Sequence, residues 1–459
     1  MITALAGEQA WLVGGSVRDE LLGRPVTDLD LAVAGDPERA ARAVADEVGG
    51  PAFALSERFG AWRVIDRRGG RTFDISPLQG DSIEADLAQR DFTINAMARP
   101  LEGGELVDPH AGRADLDARL LRVLGPRAFD ADPLRALRLA RFAAELQFAA
   151  DRDTERLTAA AAPRSVEASP ERVFAELRRL VGAAGVLHGL ELADRLGLLE
   201  AVLPEVSALH GIDQSHFHHL DVYGHTMEVL RRQLELEQRL QELFGELAQP
   251  LRTVLDEPLA DELTRGQALR FGALLHDIGK PATRGVRPDG RVTFIGHDKV
   301  GEEMVRALCR RLRTSERLSR FVEGLTRHHL VLGFLVHERP LDRRTVYRYL
   351  KHTSPVEVEV TLLSCADRLA TRGKNAEAAI AAHLELANEL MGDALRWRAR
   401  GPPRPPLRGD ELAGELGMER GPELGRLLAE LEEAVFAGEA GSREQALELA
   451  RRLRHNSAR

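Results

Sequence analysis

The spacing of apolar residues changes character along this chain. Near the N-terminus the period is short. In TDLDLAV (27–33), Leu29, Leu31 and Val33 fall two apart with Asp28 and Asp30 between them, which predicts a half-buried strand. WLVGG is a brief apolar run ending in Gly14-Gly15, and SVRDELLG predicts a short helix stopped by Gly23. AWRVID and RTFDIS predict a hairpin about Arg68, Gly69 and Gly70. From about Leu116 the spacing lengthens to that of helices and stays so. DPLRALRLARF (132–142) reads as an N-capped amphipathic helix, with Leu134, Leu137 and Phe142 toward a core. Ser169-Pro170 supplies a cap and first turn for ERVFAELRRLV, and the proline-rich GPPRPPLRG precedes a last helical segment starting near Asp410. A mixed N-terminal part followed by a long helical remainder gives an α+β chain.

Composition narrows the class. The 459 residues, 29% charged and 44% hydrophobic, suit a soluble protein of several domains. No apolar run approaches the ~20 residues of a membrane span. The first residues lack the basic region of a signal peptide, and two cysteines cannot build a disulfide framework, so a cytoplasmic setting is expected. A net charge of −9 argues against general affinity for nucleic acid. Arginine is nevertheless concentrated at Arg119, Arg122, Arg127, Arg135, Arg138 and Arg141, and again at Arg172, Arg178 and Arg179. A phosphate-binding protein needs a local basic stripe, not a basic average.

On a strand, Asp28 and Asp30 point to one face while the leucines point to the other. Two close carboxylates repel each other, and a divalent cation such as Mg²⁺, which takes carboxylate and phosphate oxygens together, resolves the conflict. The Gly14-Gly15 turn lets the backbone approach a phosphate, and Arg18 in the helix after it can clamp phosphate oxygens. Asp74, in RTFDIS, is a candidate third carboxylate, with a strand-end cap as its other reading.

These residues carry a specific likeness. LVGGSVRDELLGRPVTDLDLAV resembles the first signature of the class II tRNA nucleotidyltransferases, a group related to bacterial poly(A) polymerases. The likeness continues through RDFTINAMA (90–98), DPHAGRADL (108–116), DPLRALRLARF (132–142) and SPERVFAEL (169–177). It implies a DNA-polymerase-β-like nucleotidyltransferase head over residues 1–115, then a helical neck over 116–165 and a body over 166–215. It also implies transfer of CMP, and of AMP in some members, from CTP and ATP to the tRNA 3′ end. Carried onto this sequence, it gives Mg²⁺ to Asp28 and Asp30 and the triphosphate to Gly14, Gly15 and Arg18. Arg90, Asp91 and Asn95 fall to the ribose and phosphates and to tying head to neck. Base reading falls to Asp132 and Arg135, with Arg138 and Arg141 bracing or holding phosphate. Three apart on a helix, Asp132 and Arg135 would share a face. A carboxylate there accepts from an exocyclic amino group and a guanidinium donates to ring acceptors.

The sequence departs from that pattern in places. Ala131 stands where a glutamate usually precedes the aspartate, and Gln89 where arginine is frequent. Between Ile75 and Arg90 only the short, acidic ISPLQGDSIEADLAQ intervenes, where full CCA-adding relatives carry a longer basic loop. Members with a shortened loop stop after two cytidines, so a CC-adding enzyme is favoured over a full CCA-adding one. The segment after the aspartate strand does not match that of poly(A) polymerases, which places that reading lower.

A second constellation occupies 216–372, ahead of a helical tail over 373–459. His225, the doublet His276-Asp277, and Asp367 resemble the HD phosphohydrolase superfamily. His297 and one of His328 or His329 can supply a second metal, with Mn²⁺, Ni²⁺, Fe or Mg²⁺ as candidates. His216, His218 and His219 are further candidates, and Lys280 is either near a phosphate or facing solvent. The chemistry implied is metal-activated water attacking a phosphoester. The competing reading makes this hydrolase the main activity and the head a relic.

Overall fold

A computed structural model of the chain describes residues 4–56, 60–214, 220–372 and 376–457. Two compact units divide it, Met1–Leu203 and Pro204–Arg459. His216, His218 and His219 lie outside the described residues.

The first unit is built on one six-stranded sheet. Its strands are β1 (Ala10–Val13), β2 (Asp28–Val33), β3 (Ala52–Ser56), β4 (Ala61–Asp66), β5 (Arg71–Pro77) and β6 (Ala98–Pro100), in the order β3-β4-β5-β2-β1-β6. β2 and β5 are parallel, and the other neighbours antiparallel. The short helix α1 (Gly15–Leu21) joins β1 to β2, and α2 (Pro37–Val48), capped by Asp36, covers one face. The alternation in β2 puts Leu31 and Val33 on that covered face with Val64, Phe73 and Ile75, against Ala40, Ala41 and Val44. Burying a side chain such as Leu31 or Phe73 there contributes about 2 kcal/mol. The hairpin expected about residues 68–70 is present. Asp66 accepts from the amides of Arg68 and Gly69, and Gly70 takes a positive φ of 65°.

Helices α3 (Ile83–Leu87), α4 (Gly112–Asp117), α5 (Arg127–Ala131), α6 (Arg135–Leu146), α7 (Arg152–Ala161) and α8 (Pro170–Gly182) follow. The helical remainder is interrupted by small pairings, among them Leu120–Leu121 with Ala149–Ala150 in parallel. Pro170 opens α8 as expected, although the Ser169 side chain makes no capping bond. Asp132 departs from expectation: it is extended, at φ −155° and ψ 100°, and α6 begins only at Arg135. Pro133 is the reason, because its ring clashes with a helical conformation at the residue before it. Asp132 and Arg135 therefore do not share a helix face.

The second unit is mostly helical. Its site residues come from helices Val222–Gln238, Arg265–Leu275, His297–Leu312, Glu316–His328 and Glu357–Leu369. The His276-Asp277 doublet lies in the turn that leaves Arg265–Leu275. Gly279 in that turn is required. A Cβ there would stand 2.2 Å from the His297 carbonyl oxygen and 2.7 Å from the Gly301 nitrogen.

Candidate active site and metal centre

The face of β2 and β5 opposite α2 carries three carboxylates. Asp30 lies opposite Asp74 in the parallel register and Asp28 lies two residues before it. Arg63, the register partner of Asp74 on β4, donates to both its oxygens at 2.7 Å. Ser16 fixes β2 to α1: its hydroxyl donates to the Asp28 carbonyl at 3.0 Å and accepts from the Asp30 amide at 2.7 Å. Burial first, then Asp74, raise the Asp30 carboxyl to about 6. An all-oxygen donor set that repels itself in this way fits a hard divalent cation.

Around these carboxylates is a cavity of about 610 Å³ lined largely by charge, including Arg18, Arg63, Arg90, Arg135, Arg138 and Arg141. Gly14 has a φ of 65°, and a Cβ there would sit 2.6 Å from Arg90 Nη1, so only glycine lets Arg90 reach over the turn. Gly15 packs close to Arg18 and to Asp30 Oδ2. Arg18 is buried, donating to both oxygens of Asp19 and to Asn95 Oδ1 at 2.8 Å, with its guanidinium over the Phe142 ring. Helix α1 has seven residues, so cationic character here comes from the arginines more than from its dipole.

Arg90 pairs with Asp86. Asp91 accepts from the Phe92 amide, Asn95 and Arg138; burial opposes its charge, but Arg138 and these donors hold it below the usual carboxylate range. Arg138 and Arg141 share Glu176, and Arg141 also reaches Glu145 at 2.7 Å. The arginine stripe is thus laced by acids rather than standing free. Asp132 and Arg135 line a neighbouring cavity of about 1140 Å³ that shares Arg90 and Arg135 with the first. Sequence reasoning did not single out Ser16, Asp19, Arg63, Asp86 or Glu176. Arg63 became visible only through the β4–β5 register.

In the second unit, two groups of ligand atoms gather: His225, His276 and Asp367, and Asp277, His297 and His329. Asp277 lies between them, with Oδ2 3.1 Å from His276 Nε2 and Oδ1 3.2 Å from His297 Nε2. His225 Nε2 is 3.0 Å from Asp367 Oδ1. The Nδ1 atoms of His276, His297 and His329 lie 2.7 to 2.9 Å from the carbonyls of Ala273, Phe294 and Thr326. A proton on each Nδ1 leaves Nε2 as a lone pair aimed inward, the arrangement of a metal-bound imidazole. Burial, then His276, push His329 down to about 4, which keeps it neutral. The Nε2 atoms of His297 and His329 then face each other at 3.2 Å, while at His276 burial opposes charge but the Asp277 carboxylate beside Nε2 favours it. Lone pairs crowded in this way fit a cation.

His328 does not join the cluster. Neighbours on a helix point about 100° apart, and His328 instead packs edge-on against His352. Lys280 is buried rather than facing solvent: it holds Asp277 at 2.6 Å and Gln214 at 2.7 Å and lines the cavity beside the two ligand groups. No helix of the described residues is long and apolar enough to cross a membrane.

Comparison with known proteins gives matches over both units. Residues 10–122 match the family described as Poly A polymerase head domain, 147–209 the probable RNA and SrmB-binding site of polymerase A, and 222–372 the HD domain. An A-adding tRNA nucleotidyltransferase of Deinococcus radiodurans is 37% identical over 95% of this chain and 94% of its own. A CC-adding tRNA nucleotidyltransferase of Thermus thermophilus is 36% identical over 96% and 92%. The solved Thermotoga maritima CCA-adding enzyme complexed with tRNA shares the fold, with a TM-score of 0.60 at 20% identity over 97% of this chain and 91% of that one. A carboxylate-bearing sheet ringed by arginines, joined to an HD domain and matched almost end to end by such relatives, places this chain in the tRNA nucleotidyltransferase family.

Proposed function

We propose that the chain adds CMP to the 3′ end of tRNA from CTP, as a CC-adding enzyme, with Mg²⁺ held by Asp28 and Asp30. The observation that carries this is the convergence of Asp28, Asp30 and Asp74 on one sheet face inside an arginine-lined cavity. Magnesium, when bound, assists ionisation of the tRNA 3′ hydroxyl and shields the leaving pyrophosphate. The chain's own residues do the rest. Arg63 fixes Asp74 beside the pair, Gly14 and Gly15 admit the triphosphate, and Arg18 and Arg90 meet its charge. Asp91 and Asn95 brace Arg138 and Arg18, and Asp132 and Arg135 take the base. The short segment after β5 supports the CC subtype: it folds into α3, with Asp86 accepting from the Gln79 amide and pairing with Arg90. The A-adding relative favours a second reading, addition of AMP to tRNA already ending in CC. Primer extension separates them. tRNA lacking its last three nucleotides should gain two residues with CTP and none with ATP. Extension of CC-ended tRNA by ATP would overturn the CC assignment.

We propose further that the HD unit is a two-metal phosphohydrolase acting on phosphomonoesters or 2′,3′-cyclic phosphates. Its ions would be Mn²⁺, Ni²⁺, Fe or Mg²⁺, held by the two groups with Asp277 between them. Phosphate release from a monoester, or ring opening of a 2′,3′-cyclic phosphate to a monophosphate, that is lost in His276→Ala would support it, and both unchanged in that variant would end it. We place the head at 1–115, the neck at 116–165, the body at 166–215, which runs past the boundary at Leu203–Pro204, the HD domain at 216–372 and the tail at 373–459. Two buried, unpaired cysteines support a cytoplasmic protein.

A further inference from the structure

Asp132 sits between α5 and α6 on an extended backbone, and an aspartate there turns freely about two side-chain bonds unless something holds it. The preceding residue, Ala131, has no polar side chain to do so. Two donors do: the Leu134 amide reaches Oδ1 at 3.3 Å, and Arg172 Nη2, from the first turn of α8, reaches Oδ2 at 2.6 Å. Arg135 is not one of them. Its Nη1 donates to the carbonyls of Arg90 and Ala128, and its Nη2 to that of Gln89 at 2.8 Å. Arg172 and Asp132 face the same 1140 Å³ cavity, whose apolar wall of Ala88, Leu124, Ala128 and Ala131 suits the flat face of a base.

We infer that Arg172 is a positioning residue for base selection, holding the Asp132 carboxylate so that its remaining lone pairs face the incoming base. This rests on the proposed base-reading role of Asp132. A carboxylate has about four acceptor sites, and two are taken here. The others accept from the exocyclic amino group of cytosine or adenine and repel the carbonyl that uracil or guanine presents in its place. With Arg172 gone, the carboxylate swings and the distinction fades, while the metal-binding face is untouched.

Incorporation kinetics with each of the four nucleoside triphosphates test this in the full chain. Arg172→Met should lower kcat/KM for the preferred amino-bearing nucleotide about tenfold and shrink its advantage over UTP and GTP by a similar factor. Arg172→Lys, which restores a cationic donor, should recover most of the preference. Should Arg172→Met fail to fold, Arg172→Gln serves, since it keeps the reach without the charge. Asp132→Asn runs in parallel. If Asp132→Asn loses selection and the Arg172 variants keep it, Arg172 has no such role. If Asp132→Asn also selects normally, base reading at Asp132 falls, and this inference with it.

Discussion

Asp30 and Asp74 face each other across two parallel strands, and Arg63 neutralises only Asp74. The same logic of buried, imperfectly compensated charge governs Glu357 in the second unit. It is buried at the start of Glu357–Leu369, its Oε2 has no hydrogen bond, and its neighbour Glu359 is the one paired with Arg265. Burial first, then Glu359, raise it to about 7 against opposition from Arg398 and Arg265. The sign follows from linkage. A carboxyl raised in the folded state keeps its proton between about pH 4.5 and 7, where the unfolded chain has lost it. Its stability contribution is therefore greatest below that window and falls as pH rises through it. Glu357→Gln should stabilise the protein at pH 8 by about 2 kcal/mol and flatten the dependence between pH 5 and 8. Urea unfolding at several pH values measures this. An unchanged midpoint at pH 8 would count against a strained, charged Glu357.

At the scale of elements, the turn after Arg265–Leu275 brings His276 and Asp277 to the helix carrying His297 only because Gly279 leaves room. Gly279→Ala should push that helix away, cost about 1–3 kcal/mol of strain, and weaken Mn²⁺ binding at the HD site by tenfold or more in calorimetry. Primer extension should survive. Undiminished Mn²⁺ affinity would show that the contact is not needed.

Which elements could be read from sequence follows from the range of the forces involved. The period of two in TDLDLAV and the Gly69-Gly70 turn are local, and β2 and the β4–β5 hairpin follow from them directly. The extended Asp132 was also legible, since Pro133 dictates it, but the amphipathic pattern of the following residues masked the signal. Arg63 and Arg172 act across β-register and inter-helix distances that no local pattern encodes. The choice between His328 and His329 depended on the rotation of one helix end about its axis, beyond the precision of sequence spacing.

Across the whole molecule, the two sites fall in separate compact units and use different donors: oxygen only in the head, imidazole and carboxylate in the HD domain. Their chemistries should therefore separate by mutation. His276→Ala should abolish metal-dependent phosphate release and leave nucleotide addition within about twofold, as measured by parallel assays on one preparation. Joint loss would show that the HD metals support the transferase.

The most direct test of the transferase itself is single-turnover CMP incorporation into tRNA lacking its 3′ end, with saturating Mg²⁺, comparing the parent chain with Asp28→Asn. Removing one of three facing carboxylates should leave the fold intact, with thermal stability equal or higher, while incorporation falls by at least about 10³-fold, on the order of 4 kcal/mol of barrier. A variant that still adds CMP at near-parental rate would place the chemistry elsewhere and contradict the assignment.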